Sequence, residues 1–304
     1  MKVGIPKSLL YYKYYLFIET FFRELGAEIV LSKDTNKEIL NNGVSFCVDE
    51  ACLPIKIFHG HVLDIKDKCD LIFIPRIMQL EKDEFICPKF CGLPEMVVNS
   101  IPDLPKVLKE PIYGYSKSKL RTWAFNTGKL ITGNPVKIDR ALKSAIEAQI
   151  SVKSGKENGQ YPIKVALAGH PYNIYDSFIN MNLIKKLNKL GIGVITEVEV
   201  EKNLKTKQIL SLYKRPFWTF SREIFGFSTY LAENYLIDGI VYVSSFGCGI
   251  DSVIIELIKN KIGEFPFLIL KIDEETGEAG FDTRIEAFSD MLERRKVKIE
   301  NNIS

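Results

Sequence analysis

A strand–helix–strand pattern that occurs twice constrains this chain more than any other feature. Near the start, "KVGIP" reads as a short buried strand. "SLLYYKYYLFIETFFRELG" follows with helical periodicity, with Ser8 placed as an N-cap and Gly26 as the residue just past the C-terminus. "AEIVLS" is a second strand. The same succession returns in the second half: "KVALAG", then "NIYDSFINMNLIKKLNKLG" as a helix ending at Gly191, then "GVITE". Right-handed crossovers place the strands of such units parallel. Further buried strands are expected at "DLIFIP" (70–75), "GIVYVSS" (239–245) and "PFLILKID". Helices are expected at "DSVIIELIKN" and "TRIEAFSDMLERRKV". The expected fold is parallel α/β, in two similar halves that read as an internal repeat.

The stretch "SVKSGKENGQYP" is polar and follows a helical segment, "NPVKIDRALKSAIEAQI", so the boundary is placed near 150–160. This gives an N-terminal domain over 1–155, with its connecting helix, and a C-terminal domain over 156–304. At 304 residues the chain is long enough for both. In open α/β sheets the functional groups gather at the carboxyl ends of strands. "PRI", "AGHPYNIYD", "SSFGCGIDS" and "DEETGEAGFDT" each follow an expected strand, which points to a shared site at the interface of the halves.

Composition narrows the class. A net charge of +3 from 41 basic and 38 acidic residues argues against a nucleic-acid binder. No apolar run reaches the ~18 residues of a membrane span, and the start does not read as a signal peptide. A cytoplasmic location is expected. There thiols stay reduced, so the six cysteines are read as ligands, catalysts or core residues rather than as disulfides.

Five of them lie between 47 and 91. Cys69 leads into a strand with no polar motif around it and reads as core. Cys87 is followed by Pro88, as at many iron–sulfur ligands. Cys248 stands between Gly247 and Gly249, after a strand and before a helix. Glycines there let a backbone approach a cofactor, and a helix N-terminus favours a thiolate or a cluster's negative charge. A lone nucleophile would explain Cys248 equally well. Zinc held by Cys47, Cys52, Cys87 and Cys91 is a second alternative. His59 and His61, in "HGH", cannot share one face of a regular element, and read as core or hydrogen-bonding residues. The "DEETGE" loop reads either as a site wall or as a strand-to-helix turn.

"VDEACLPIKIFHGHV", "FIPRI", "FICPKFCGLPEMV", "GHPYNIYDSFINMNL", "SSFGCGIDSV" and "DEETGEAGFDTRIEAF" together resemble the 2-hydroxyacyl-CoA dehydratase-like proteins of anaerobes. The resemblance is closest to the domain of unknown function related to, and often fused with, the activase ATPase of that system. It implies two flavodoxin-like or Rossmann-like α/β domains with parallel sheets and a [4Fe–4S] cluster at their interface, with Cys52, Cys87 and Cys248 as its ligands and Gly247 and Gly249 beside it. In the family an ATP-driven activator injects one electron, and the reduced cluster makes a ketyl radical from the thioester. This chain has no P-loop, so a separate activase ATPase is the expected electron donor. A related dehydratase-like subunit or a second copy is a further expected partner. Nothing in the sequence marks a CoA pocket. A dehydratase-like lyase or an ATP-primed reductase is one reading. A non-catalytic electron relay or cluster carrier is the other.

Overall fold

The structure, a computed structural model, describes residues 1–151 and 161–303, with side chains as far as 298. The chain divides into two compact units: Met1–Lys153 with Phe217–Thr219, and Ser154–Pro216 with Phe220–Ser304. The expected joining stretch at 150–160 lies, from residue 152, outside the described residues.

The first unit carries β1 (Lys2–Ile5), β2 (Glu28–Leu31), β3 (Leu71–Phe73), β4 (Arg76–Gln79), β5 (Lys106–Leu108) and β6 (Pro111–Tyr113). Four of these form a sheet in the order β2-β1-β3-β5, every pair parallel, while β4 and β6 make a separate parallel pair. The second unit carries β7 (Ile163–Gly169), β8 (Ile192–Ile195), β9 (Gly239–Ser245) and β10 (Phe267–Ile272), in the order β10-β9-β7-β8, again all parallel. The fold is therefore α/β with parallel sheets. Within each four-stranded sheet the order is second, first, third, fourth. The chain thus reverses direction across the sheet between the first and third strands. Ligands of open α/β sheets bind at the carboxyl ends of the strands flanking such a point. All seven residues of β9 are buried, as expected of a central parallel strand covered on both faces.

The core of the first unit is aromatic. Phe21 and Phe22 on helix Tyr11–Glu24 pack with Phe73 of β3, Trp123, and the apolar face of helix Pro135–Ile150. Phe21 and Trp123 lie 4.8 Å apart and Phe22 and Phe73 5.3 Å apart, centroid to centroid, within the range in which ring pairs add to area burial.

Two helices depart from the sequence expectation. The first begins at Tyr11 with Leu10 in the cap position, because Leu9 takes a left-handed φ of 53° and interrupts the helical geometry. Ser8 is buried and caps nothing. The segment expected as one helix to Gly191 splits into Pro171–Tyr175 and Leu183–Lys189. Asp176 accepts from the backbone N–H groups of Phe178 and Ile179, and Met181 and Asn182 are left-handed, so no helix can run through. Gly26 and Gly191 do take the positive φ that ends a helix, at 82° and 74°.

Gly60, the middle residue of "HGH", has a packing role. Helices Lys37–Ser45 and Leu53–Ile65 touch backbone to backbone. A Cβ on Gly60 would sit 1.9 Å from the Ile39 carbonyl oxygen, and one on Gly43 2.0 Å from that of Lys56. Gly60→Ala is expected to destabilise the first unit by about 3 kcal/mol, the upper end for overpacking, because the atom struck is main chain. Urea unfolding followed by Trp fluorescence checks this.

Candidate functional site

In the second unit the switch point holds a buried polar group. Strand β7 ends at Gly169, whose φ of 148° and near contact with the Val243 carbonyl leave no room for a side chain. His170 follows as the cap residue of helix Pro171–Tyr175. Next door, β9 ends at Ser245. Gly247 turns the chain with φ 72°, and Cys248 becomes the N-cap of helix Gly249–Ile262. Asp251 lies in the first turn of that helix, where its charge also meets the positive end of the helix dipole.

These residues converge. His170 Nε2 lies 3.2 Å from Asp251 Oδ1. The Tyr242 hydroxyl donates to the same oxygen at 2.7 Å, and the Ser244 hydroxyl donates to Oδ2 at 2.9 Å. Ligand atoms of His170, Cys248 and Asp251 all lie within 4.8 Å of one another, and this is the one such group able to hold a metal ion among the described residues. His170 and Asp251 are 4% and 0% exposed. Burial alone would drive the imidazole towards neutrality. The Asp251 carboxylate and the Cys248 sulfur outweigh it and raise His170 to about 10. For Asp251 burial works upwards, but the His170 charge and the bonds from His170, Tyr242 and Ser244 hold it below its ordinary value. The pair is thus an imidazolium and a carboxylate. His170 Nδ1 is buried without a hydrogen-bond partner, and the ring stacks on Tyr172 at 5.1 Å.

A second tier fixes this arrangement. Asn173 donates to the Val243 carbonyl at 3.4 Å and accepts from the Ser245 hydroxyl at 3.1 Å. Asn180 donates to the Ile174 carbonyl at 2.6 Å. The motif "GHPYNIYDSFIN" is therefore a run of caps and cross-ties. Its signal was readable as a polar cluster after a strand, but the pairing of His170 with Asp251 was not.

In the first unit Cys52 is the N-cap of helix Leu53–Ile65, and Cys87 is the N-cap of the short helix Pro88–Cys91. Cys47 follows helix Lys37–Ser45. Burial raises its thiol, while Val48, Lys56 and Lys89 pull the other way. Cys91 is raised by burial against the pull of Arg76, and its thiol donates to the Ile77 carbonyl at 3.4 Å. Cys69 donates to the Ile65 carbonyl at 3.3 Å and packs against Gly4, in keeping with a core role. Among the described residues, Cys47, Cys52, Cys87 and Cys91 do not form a group as close as the His170 one. Zinc bound by four sulfurs at about 2.3 Å needs such a group.

His59 and His61 lie in one helix and face different neighbours. His59 Nδ1 bonds the Ile55 carbonyl at 2.8 Å. The two nitrogens of His61 meet the Ser32 and Thr35 hydroxyls at 2.8 and 2.9 Å. Burial lowers both, His61 to about 4, so they are neutral core residues. The "DEETGE" loop closes on itself. Thr276 donates to Asp273 Oδ1 and accepts from its backbone N–H, and Glu275 N–H donates to the same carboxylate. That is the strand-to-helix turn. Gly249 has open space where a Cβ would be, so close packing does not demand glycine there. Phe85, two residues before Cys87, exchanges backbone bonds of 2.8 and 2.9 Å with Phe217 and Thr219, a pairing that nothing in the sequence announced.

The fold and site define a parallel α/β protein with a buried group able to hold a metal ion at a switch point. The chain belongs to the 2-hydroxyacyl-CoA dehydratase-like family. Residues 2–200 match the CoA enzyme activase uncharacterised domain, and residues 135–292 match the 2-hydroxyglutaryl-CoA dehydratase, D-component. Comparison with curated proteins gave no match. Two solved structures of an Mn-bound periplasmic metal-binding protein from candidatus liberibacter asiaticus, one a mutant, are similar over 97% of this chain and 99% of theirs. Their identities are 11% and 10% and their TM-scores 0.29 and 0.28, too low to bear on fold or metal. No described helix is long and apolar enough to cross a membrane.

Proposed function

We propose that this chain is a cytoplasmic iron–sulfur protein of an anaerobe, with a [4Fe–4S] cluster held by Cys52, Cys87 and Cys248 and reduced by a separate activase ATPase. The observation that carries this reading is positional. Each of the three cysteines is the N-cap residue of a helix, and none of their side chains closes a capping hydrogen bond. A helix N-terminus favours a thiolate and the negative charge of a thiolate-bound cluster. Cys69 and Cys91 are not N-cap residues of a helix, and each gives its thiol hydrogen to a backbone carbonyl.

Three thiolates are a fitting donor set for such a cluster. When bound it would supply one-electron chemistry, within the roughly −700 to +450 mV that iron–sulfur sites span. The chain's own residues would do the rest. Gly247 turns the backbone so that Cys248 opens its helix, and Gly249 leaves that helix start uncrowded. His170 and Asp251, both buried, would keep a proton beside the half-buried Cys248 sulfur. The shared strand order of the two sheets supports reading domains 1–155 and 156–304 as flavodoxin-like repeats. A dehydratase-like subunit or a second copy would complete the assembly.

The test is anaerobic purification with iron, sulfide and zinc analysis, followed by electron paramagnetic resonance. The expected result is iron and acid-labile sulfide in equal amounts, a [4Fe–4S]⁺ signal on chemical reduction, and the same signal with an activase and ATP. Protein that holds zinc and no sulfide would sink the proposal. A cluster that reduces chemically but never through an activase would favour the relay or carrier role.

A further inference from the structure

The first unit contains an apolar cavity of about 250 Å³ that takes no part in the site above, and no cysteine lines it. It lies beside a break in helix Tyr11–Glu24, where Tyr14, one of its lining residues, has non-helical angles of φ −120° and ψ 18°. In an unbroken helix the Phe17 N–H would donate to the Lys13 carbonyl. Here the Gln149 side chain stands between them. Its amide nitrogen donates to the Lys13 carbonyl at 3.0 Å, and its amide oxygen accepts from the Phe17 N–H at 3.3 Å. A side chain inserted into the helical ladder is a recognised cause of a sharp kink. The kink holds this stretch of helix out of regular geometry, and the cavity opens beside it, towards the end of β3 and helix Pro135–Ile150.

We propose that this cavity binds a small neutral aromatic molecule. Four rings, those of Tyr11, Tyr14, Phe17 and Phe73, line it, and no charged side chain does. Its polar wall groups are already engaged where their partners are known: the Tyr11 hydroxyl donates to Glu19 at 2.6 Å, and the Gln149 amide serves the backbone. A charged ligand would be stripped of water with nothing to pair it. Apolar cavities of roughly 150 Å³ take up benzene. By the same measure this one accommodates about ten non-hydrogen atoms. The pocket opens to solvent past Gly114 and Ile150, the latter 77% exposed, so its apolar walls face water until a guest covers them. Ring walls favour an aromatic guest through edge-to-face contact.

Full-length protein titrated with 2-naphthol in a calorimeter tests the proposal, with 2-naphthoate as the charged counterpart. Saturable binding of 2-naphthol is expected, at least tenfold tighter than that of 2-naphthoate. Ile146→Phe and Leu120→Phe each place a ring into the cavity, and each is expected to weaken binding at least tenfold while the melting temperature holds or rises. Isotope-filtered NOEs from 2-naphthol to the methyl groups of Ile77, Ile112 and Ile146 locate the ligand without any substitution. No saturable binding, equal affinity for the naphthoate, unchanged affinity in both filled variants, or NOEs to other methyl groups would each overturn the proposal. Its outcome is separable from that of the cluster, whose readout is iron, sulfide and a paramagnetic signal.

Discussion

Cys248→Ala protein, purified without oxygen, is expected to lose most of its iron, and Cys52→Ala and Cys87→Ala to do the same. Cys69→Ala and Cys91→Ala are expected to keep it. The contrast rests on where each sulfur sits. Cys52, Cys87 and Cys248 open helices, where negative charge is stabilised. Cys69 and Cys91 have thiols bonded to the Ile65 and Ile77 carbonyls and raised by burial, which opposes the thiolate a metal requires. Losing an outer partner of a metal ligand typically costs roughly 10- to 100-fold in affinity, so losing a ligand itself sets a larger effect. Iron and sulfide analysis on all five variants, with melting curves to identify any that unfold, reads the result. Equal iron loss in all five among folded variants would mean that helix position does not select the ligands. Retention in Cys87→Ala would remove the residue whose "CP" signature first suggested a cluster.

Much of the architecture was legible because it is written in local patterns. "GIVYVSS" is a run that only a doubly covered strand accommodates, and β9 occupies all of it. Gly26 and Gly191 could be assigned because few other residues take a left-handed φ cheaply. Cys69 reads as core because it leads into a strand with no polar motif around it; it is half-buried, with its thiol bonded to the Ile65 carbonyl. The failures came where a side chain overrides periodicity. Asp176 caps two N–H groups inside an otherwise helical pattern, and Asn182 takes the left-handed form, so helical spacing across 173–190 did not produce one helix. Leu9 adopts a left-handed φ that its side chain gives no reason to expect. The candidate site was half legible. Cys248 and the "GHPY" turn were found as motifs after strands. The His170–Asp251 pair required knowing that β7 and β9 are neighbours, which is a property of strand order and not of either segment. In retrospect a carboxylate three residues after a cysteine at a helix start is the available clue. It predicts a charge facing whatever the adjacent strand end presents.

That pair sets the largest expected stability effect outside the cysteines. Asp251→Asn leaves His170 buried with no opposite charge, and breaking one side of a buried pair costs about 3–5 kcal/mol. For a unit of this size that corresponds to a melting temperature lower by about 10 °C at pH 7. The pH dependence follows from the directions of the two shifts. His170 is raised from an ordinary value of 6.5 to about 10. Its contribution is therefore complete below pH 6.5 and is lost as pH rises through about 10. Asp251 is lowered, so its contribution is present above its ordinary value of 3.8 and is lost as pH falls below it. Without the carboxylate, burial dominates and holds His170 neutral, so the variant has no such alkaline loss. Many other groups titrate near pH 10, but they are common to both proteins. The informative quantity is thus the difference in melting temperature between wild type and Asp251→Asn. It is expected to be largest at pH 5, where the variant also loses stability by holding His170 neutral, and to shrink steadily towards pH 10 as the wild type loses the His170 proton. A difference that stays constant across that range would mean that the carboxylate serves the Tyr242 and Ser244 hydroxyls alone, and that His170 is neutral in the folded protein.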